Sequence, residues 1–166
     1  FLLKKWKKRP KLVIANPIGL TPDEAFQAGV ALNALEDENT WGLLASGDLS
    51  HRLTADAPAG FHPNGREFDA LVIKALYTNR PEHLLELPER FIENAGECGM
   101  RSALIFMGVD ILAPPNVLSY EGPFGVGYCV SYSTCKNCIP TLKPEQVEQL
   151  VPRIAREAIE TYLITG

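Results

Sequence analysis

Apolar residues in this chain come either as short unbroken runs or at helical spacing. The first run is Lys11-Leu12-Val13-Ile14-Ala15-Asn16, closed by Pro17 and Gly19, and it reads as a strand. Thr21, Pro22, Asp23 and Glu24 then make a helix start, with a hydroxyl cap, proline at the first position and acids in the first turn. Phe26, Val30, Leu32 and Leu35 continue an amphipathic helix to about Asp37. Residues 41–46 form a second run that is almost wholly apolar, a pattern that suits a strand buried on both faces of a parallel sheet. The three segments predict a β-α-β unit with a right-handed crossover.

The pattern then lapses. From Gly47 to Gly65 the chain carries Pro58, Gly60 and Pro63 and reads as one long loop; loops of this length in compact domains are often functional. Phe68, Leu71, Val72, Ala75 and Leu76 restore helical spacing. Residues 81–87 predict a short helical turn, and Pro88 opens another short helix through Phe91 and Ile92. A longer buried helix is expected over 103–112, ended by Pro114-Pro115. Residues 117–120 and 126–132 predict two further strands joined by Glu121-Gly122-Pro123-Phe124-Gly125. Past Pro140 a new helical stretch begins, with Val147, Leu150, Ile154 and Leu163 on its apolar face. The expected architecture is α/β, a mixed and mostly parallel sheet flanked by helices, with one domain over 1–139. Residues 140–166 are expected to form a linker and the first helix of a following domain.

Composition narrows the class. The 166 residues are 46% hydrophobic and 22% charged, as in an ordinary globular domain. No apolar run nears the roughly 20 residues of a membrane span, and the order of basic and apolar residues at the start is not that of a signal peptide. A cytoplasmic protein is expected, and the absence of an initiating methionine suggests a chain that begins inside a longer one or after processing. The net charge of −4 is uneven: six Lys and Arg fall in residues 1–11 without an acid. The other 155 residues therefore carry 16 − 6 = 10 basic and 20 acidic side chains. The basic run reads as a solvated connecting segment, and no nucleic-acid partner is expected. The glycines at 122, 125 and 127 are not followed by a Gly-Lys-Ser/Thr signature or a helix, so they mark a corner and not a phosphate cradle.

The candidate chemistry sits after the second apolar run, at Ser46-Gly47-Asp48-Leu49-Ser50-His51-Arg52-Leu53. Ligands in open α/β sheets bind beyond the carboxyl ends of strands, which makes His51 a candidate. The same small polar residues also serve as turn and cap residues, so this pattern alone leaves both readings open. Of the four cysteines, Cys135 and Cys138 form a lone CxxC. Tetrahedral zinc needs four ligands, so these two read as linker thiols before they read as a metal or redox site.

Four blocks in order supply a resemblance. Besides residues 46–53 they are Pro63-Asn64-Gly65-Arg66-Glu67-Phe68-Asp69, Ala95-Gly96-Glu97-Cys98-Gly99-Met100-Arg101-Ser102, and Ser119-Tyr120-Glu121-Gly122-Pro123-Phe124-Gly125-Val126-Gly127-Tyr128. In these blocks the chain resembles the carboxyl-terminal half of LigB-type, class III extradiol dioxygenase-like proteins, in particular their Memo-like branch. Residues 154–162 resemble the first helix of the domain that follows in AmmeMemoRadiSam-type system proteins.

The resemblance implies a non-haem Fe(II) centre that cleaves catechol-type aromatic rings with O₂, its iron held by two histidines and a carboxylate. It implies that His51 is a proton-handling histidine beside the metal, a task suited to imidazole, with Asp48 or Ser50 orienting its ring. It places a metal ligand at Glu97 or Cys98, with Cys98 preferred because the Cys-Gly pair aligns directly. A carboxylate there would suit iron; a thiolate would favour copper or zinc. The two metal-binding histidines of the family fall in the amino-terminal half, and neither His62 nor His83 lies in a matching motif. The expectation is an incomplete metal site that a missing amino-terminal half or another chain would complete. The alternative is a non-catalytic Memo-like metal-binding or redox-signalling module; a stable fragment without function of its own is the third reading.

Overall fold

The structure, a computed structural model, describes residues 10–34, 38–39, 41–109 and 114–133. Among the described residues, all regular elements fall in one unit spanning Pro17–Ile139. Residues 10–16, in a separate unit, carry no regular structure. The basic run at 1–9, the Cys135–Cys138 pair and the helical stretch after Pro140 lie outside the described residues.

Helix α1, Pro22–Asn33, begins as its capping residues dictate. Thr21 Oγ1 accepts from Glu24 N at 3.2 Å, and the Glu24 carboxylate accepts in return from Thr21 N at 2.7 Å, a reciprocal capping box. That contact also holds the Glu24 carboxyl below its ordinary range. The helix ends at Ala34, while residues 35–37 of the predicted helix lie outside the described residues.

Helix α2, Pro63–Thr78, starts inside the predicted loop. His62 is its N-cap, with Nδ1 accepting from Asn64 N at 3.2 Å, and proline occupies the first turn. The histidine is thus committed to a helix end. The helix terminates at Asn79 in the left-handed conformation, φ 50°, one of the few residue types that tolerate it. Short helices α3, Glu82–Leu85, and α4, Glu89–Ala95, follow. Helix α5, Met100–Val109, is the predicted buried helix, begun three residues earlier.

The core gathers Ala25 of α1, Phe68, Val72 and Leu76 of α2, Leu84 of α3, and Met100, Leu104 and Met107 of α5. Helices α1 and α5 cross where glycines face each other. A Cβ on Gly29 would stand 2.1 Å from the Ile105 carbonyl, and one on Gly108 would stand 2.3 Å from that of Phe26. Only backbone fits at that crossing.

Strands β1, Asn116–Glu121, and β2, Tyr128–Tyr132, pair antiparallel with Tyr120 opposite Cys129. They are the two predicted strands around the 121–125 corner. Among the described residues this pair is the whole sheet. The predicted parallel sheet and the β-α-β unit are therefore not formed by them: residues 11–16 and 41–46 have no strand pairing. The reason is visible in their exposure, 78% at Val13, 90% at Ile14 and 69% at Leu44. An apolar run becomes a parallel strand only when neighbouring strands saturate its backbone and cover both faces, and among the described residues no strand lies beside these runs.

Candidate functional site

The loop after residue 46 is held on both sides by other backbone. On one side, Cys98 N donates to Asp48 O at 3.3 Å and His51 N donates to Gly96 O at 3.2 Å, flanking an antiparallel bridge between Ser50 and Glu97. On the other, Leu49 N donates to Gly127 O and Gly127 N donates to Ser50 O, both at 2.8 Å, and Leu53 N donates to Gly125 O at 3.0 Å. The segment predicted as a free loop is a clamped strip. Its close approaches require glycine: a Cβ on Gly47 would lie 2.5 Å from Gly99 Cα, and one on Gly99 would lie 2.6 Å from Asp48 O.

This clamping brings three side chains together. Asp48, His51 and Cys98 each offer one ligand atom, all within 4.8 Å of one another. His51 Nε2 lies 3.3 Å from Asp48 Oδ2, and Cys98 Sγ accepts from Asp48 N at 3.3 Å. The other ring nitrogen, Nδ1, is hydrogen-bonded to Gly96 O. A carbonyl oxygen only accepts, so Nδ1 carries a proton and Nε2 is the atom free to work. A neutral His51 would thus turn a lone pair toward the Asp48 carboxylate, an arrangement relieved by a proton on Nε2 or by a cation between the three groups. Partial burial pushes the Cys98 thiol up, the Asp48 N–H bonded to its sulfur opposes the rise, and the anionic Asp48 and Glu97 add to it. Without a cation the thiol holds its proton.

Glu97, the other candidate ligand, is engaged elsewhere. Its carboxylate accepts from Met100 N at 2.6 Å at the start of α5 and faces Arg101 Nη1 at 3.8 Å. Burial raises its pKa, and those two contacts pull it back. The geometry makes Glu97 a helix-start carboxylate and leaves Cys98 in the group with His51. His83 lies in α3, outside the group.

Behind the site stands a carboxylate that the sequence reading passed over. Asp69 of α2 is 1% exposed. Its Oδ1 accepts from Ser50 N at 2.8 Å, and its Oδ2 accepts from Tyr120 OH at 2.7 Å. Burial raises the Asp69 pKa while these two donors lower it; burial, with the Asp69 contact added to it, drives the Tyr120 hydroxyl well above its ordinary value. One signal was available: residues 65, 68, 69, 72, 75 and 76 make one helical stripe, and Asp69 is the acid in it. Beyond Leu53 the same loop borders an open cleft of about 310 Å³ lined by Leu53, Thr54, Arg66, Tyr120 and Gly122.

Sequence comparison gives the class to which this fold and its Asp-His-Cys group belong. The family described as the catalytic LigB subunit of aromatic ring-opening dioxygenase matches residues 2–131, so the chain belongs to the LigB family. It is also similar to Protein CA_C1420 of Clostridium acetobutylicum, 32% identical over 183 aligned positions that cover all of this chain and 39% of that protein. The chain thus spans less than half the length of that curated relative. Among the described residues, no helix is long and apolar enough to cross a membrane.

Proposed function

We propose that this chain contributes a metal-holding, proton-handling wall to a LigB-type extradiol dioxygenase-like centre, with Asp48, His51 and Cys98 as the holding group. The observation that carries the reading is the convergence of three ligand atoms within 4.8 Å at a site open to solvent on the Cys98 side. One carboxylate oxygen, one imidazole nitrogen and one sulfur are a donor set that a divalent ion accepts, the sulfur shifting preference from iron toward zinc or copper. A bound ferrous ion would supply a centre at which a catechol-type diol and O₂ meet. The work of the residues follows from their hydrogen bonds. Gly96 O pins the His51 ring through Nδ1, so that Nε2 turns its lone pair to an ion when one is held and handles a proton only when none is, with the Asp48 carboxylate beside it. Cys98 must release its proton to serve as a ligand, so metal uptake should strengthen as pH rises.

In this reading the remaining ligands come from the amino-terminal half of the Memo-like fold or from another chain. Residues 41–46 would then find their parallel neighbours in the larger sheet, in a cytoplasmic protein whose cysteines stay reduced. The second reading is a Memo-like metal-binding or redox-signalling module without ring cleavage, favoured by the thiol at Cys98 where a carboxylate would suit iron better.

Anaerobic titration with Fe(II) and with Zn(II) tests the site. One ion per chain is expected, weakened at least about tenfold by His51→Ala or Cys98→Ser and unchanged by Glu97→Gln. Loss of binding in Glu97→Gln alone would reverse the choice of ligand. Oxygen uptake with catechols by the full-length relative, with and without its counterpart of His51, separates the two readings.

A further inference from the structure

We propose that Asp69 is a positioning residue for the Asp48, His51 and Cys98 group, acting through the Ser50 backbone with Tyr120 as its fixed partner, an inference that rests on the metal-site reading above. Ser50 stands between the two loop ligands and is fully buried. Every polar group it owns is occupied. Its N–H donates to Asp69, its hydroxyl donates to Ala95 O at 2.7 Å and accepts from Arg52 N at 3.0 Å, and its carbonyl accepts from Gly127 N at 2.8 Å. The direction of the Ser50 peptide therefore sets where the side chains of Asp48 and His51 leave the backbone.

Asp69 holds that peptide with a charge. Both of its oxygens accept hydrogen bonds, which is the pattern of an ionised carboxylate. Bonds to an ionised acceptor are shorter and stronger than neutral ones. Tyr120 fixes the second oxygen, so the carboxylate cannot rotate away from Ser50. Gly127 completes the cradle: a Cβ there would stand 1.9 Å from Asp69 Oδ2. A carboxylate at 1% exposure is costly to bury, and an apolar residue would have filled this stripe position more cheaply. Its placement is explained by the one N–H it grips, next to the histidine.

The test uses the whole chain with Cys135 and Cys138 replaced by serine, so that Co(II)–thiolate absorption reports Cys98, with C98S as the blank. Asp69→Ala should weaken Co(II) at least about tenfold, the range seen when supporting groups behind a metal site are removed. Asp69→Asn, which keeps an oxygen for Ser50 N–H, and Tyr120→Phe should each weaken it less, about threefold. Val72→Ala, a core change on the same helix, should leave the affinity unchanged at a comparable loss of melting temperature. Equal affinity in wild type and Asp69→Ala overturns the proposal, and so does an equal loss in Val72→Ala. If Asp69→Ala fails to fold, Asp69→Asn and Tyr120→Phe carry the comparison, and wild-type affinity in both overturns it. If the unsubstituted chain takes up no Co(II), the metal reading fails and positioning is judged on the metal-free protein. The His51 ring-nitrogen resonances must then shift in the Asp69 and Tyr120 variants and stay put in Val72→Ala; unmoved resonances overturn it.

Discussion

At the scale of single residues, adjacent positions serve different ends. Glu97 and Cys98 are neighbours, yet one caps α5 and the other faces His51. Glu97→Ala should cost about 1 kcal/mol, the usual worth of a group satisfying a helix-start N–H, read by thermal melting. The two described cysteines should also differ in reactivity. Burial pushes the Cys129 thiol up to about 11, whereas Cys98 is exposed. Thiolate is the reacting form, so iodoacetamide near neutral pH should label Cys98 before Cys129 in the native chain, and peptide mass mapping should show that preference vanish on unfolding. Asp69 gives a pH signature. Its folded pKa lies above the unfolded value of 3.8, so its contribution is fully present below 3.8 and is lost as pH rises through the higher folded value. Asp69→Asn should therefore flatten this part of the fall in melting temperature with rising pH.

At the scale of elements, the helices differ in what holds them. α1 begins through local chemistry that any reader of Thr21 to Glu24 can find. Its place in the fold depends on a crossing with α5 that needs glycine on both sides. Gly108→Ala should cost about 1–3 kcal/mol by overpacking, while Gly42→Ala, with nothing within 4 Å of the added carbon, should be neutral; paired denaturation curves check both. The cap of α1 was legible because its box is settled within four residues. The crossing was not, because one glycine's reason lies some 80 positions away in the other helix. The strand pair at 116–132 was legible as two runs around a glycine corner. The runs at 11–16 and 41–46 look alike in sequence, yet they form no strand among the described residues.

At the scale of the whole molecule, that difference exposes apolar surface where a sheet was expected. Leu43 is 42% exposed and Leu44 69%, and contiguous exposed apolar side chains invite association. Replacing both with serine should lower concentration-dependent light scattering and leave the thermal transition in place. A drop in melting temperature of the same size as that of Gly108→Ala would show instead that this edge packs within the chain. The chain belongs to the LigB family over residues 2–131 and spans 39% of the length of its longer relative.

The amino-acid sequence by itself determined the start of α1, the apolar stripe of α2 and the two strands around the 121–125 corner, because each depends on residues close by in the chain. Only the tertiary structure separated Glu97 from Cys98, turning the carboxylate to the start of α5 and the thiol toward Asp48 and His51, since that depends on which way each side chain leaves a backbone clamped against residues 48–51. It alone revealed Asp69 behind the site, because a buried carboxylate acquires a role only from the donors folded against it. And it alone denied strands to 11–16 and 41–46, for a strand is a property of the neighbours that pair with it and not of its own residues.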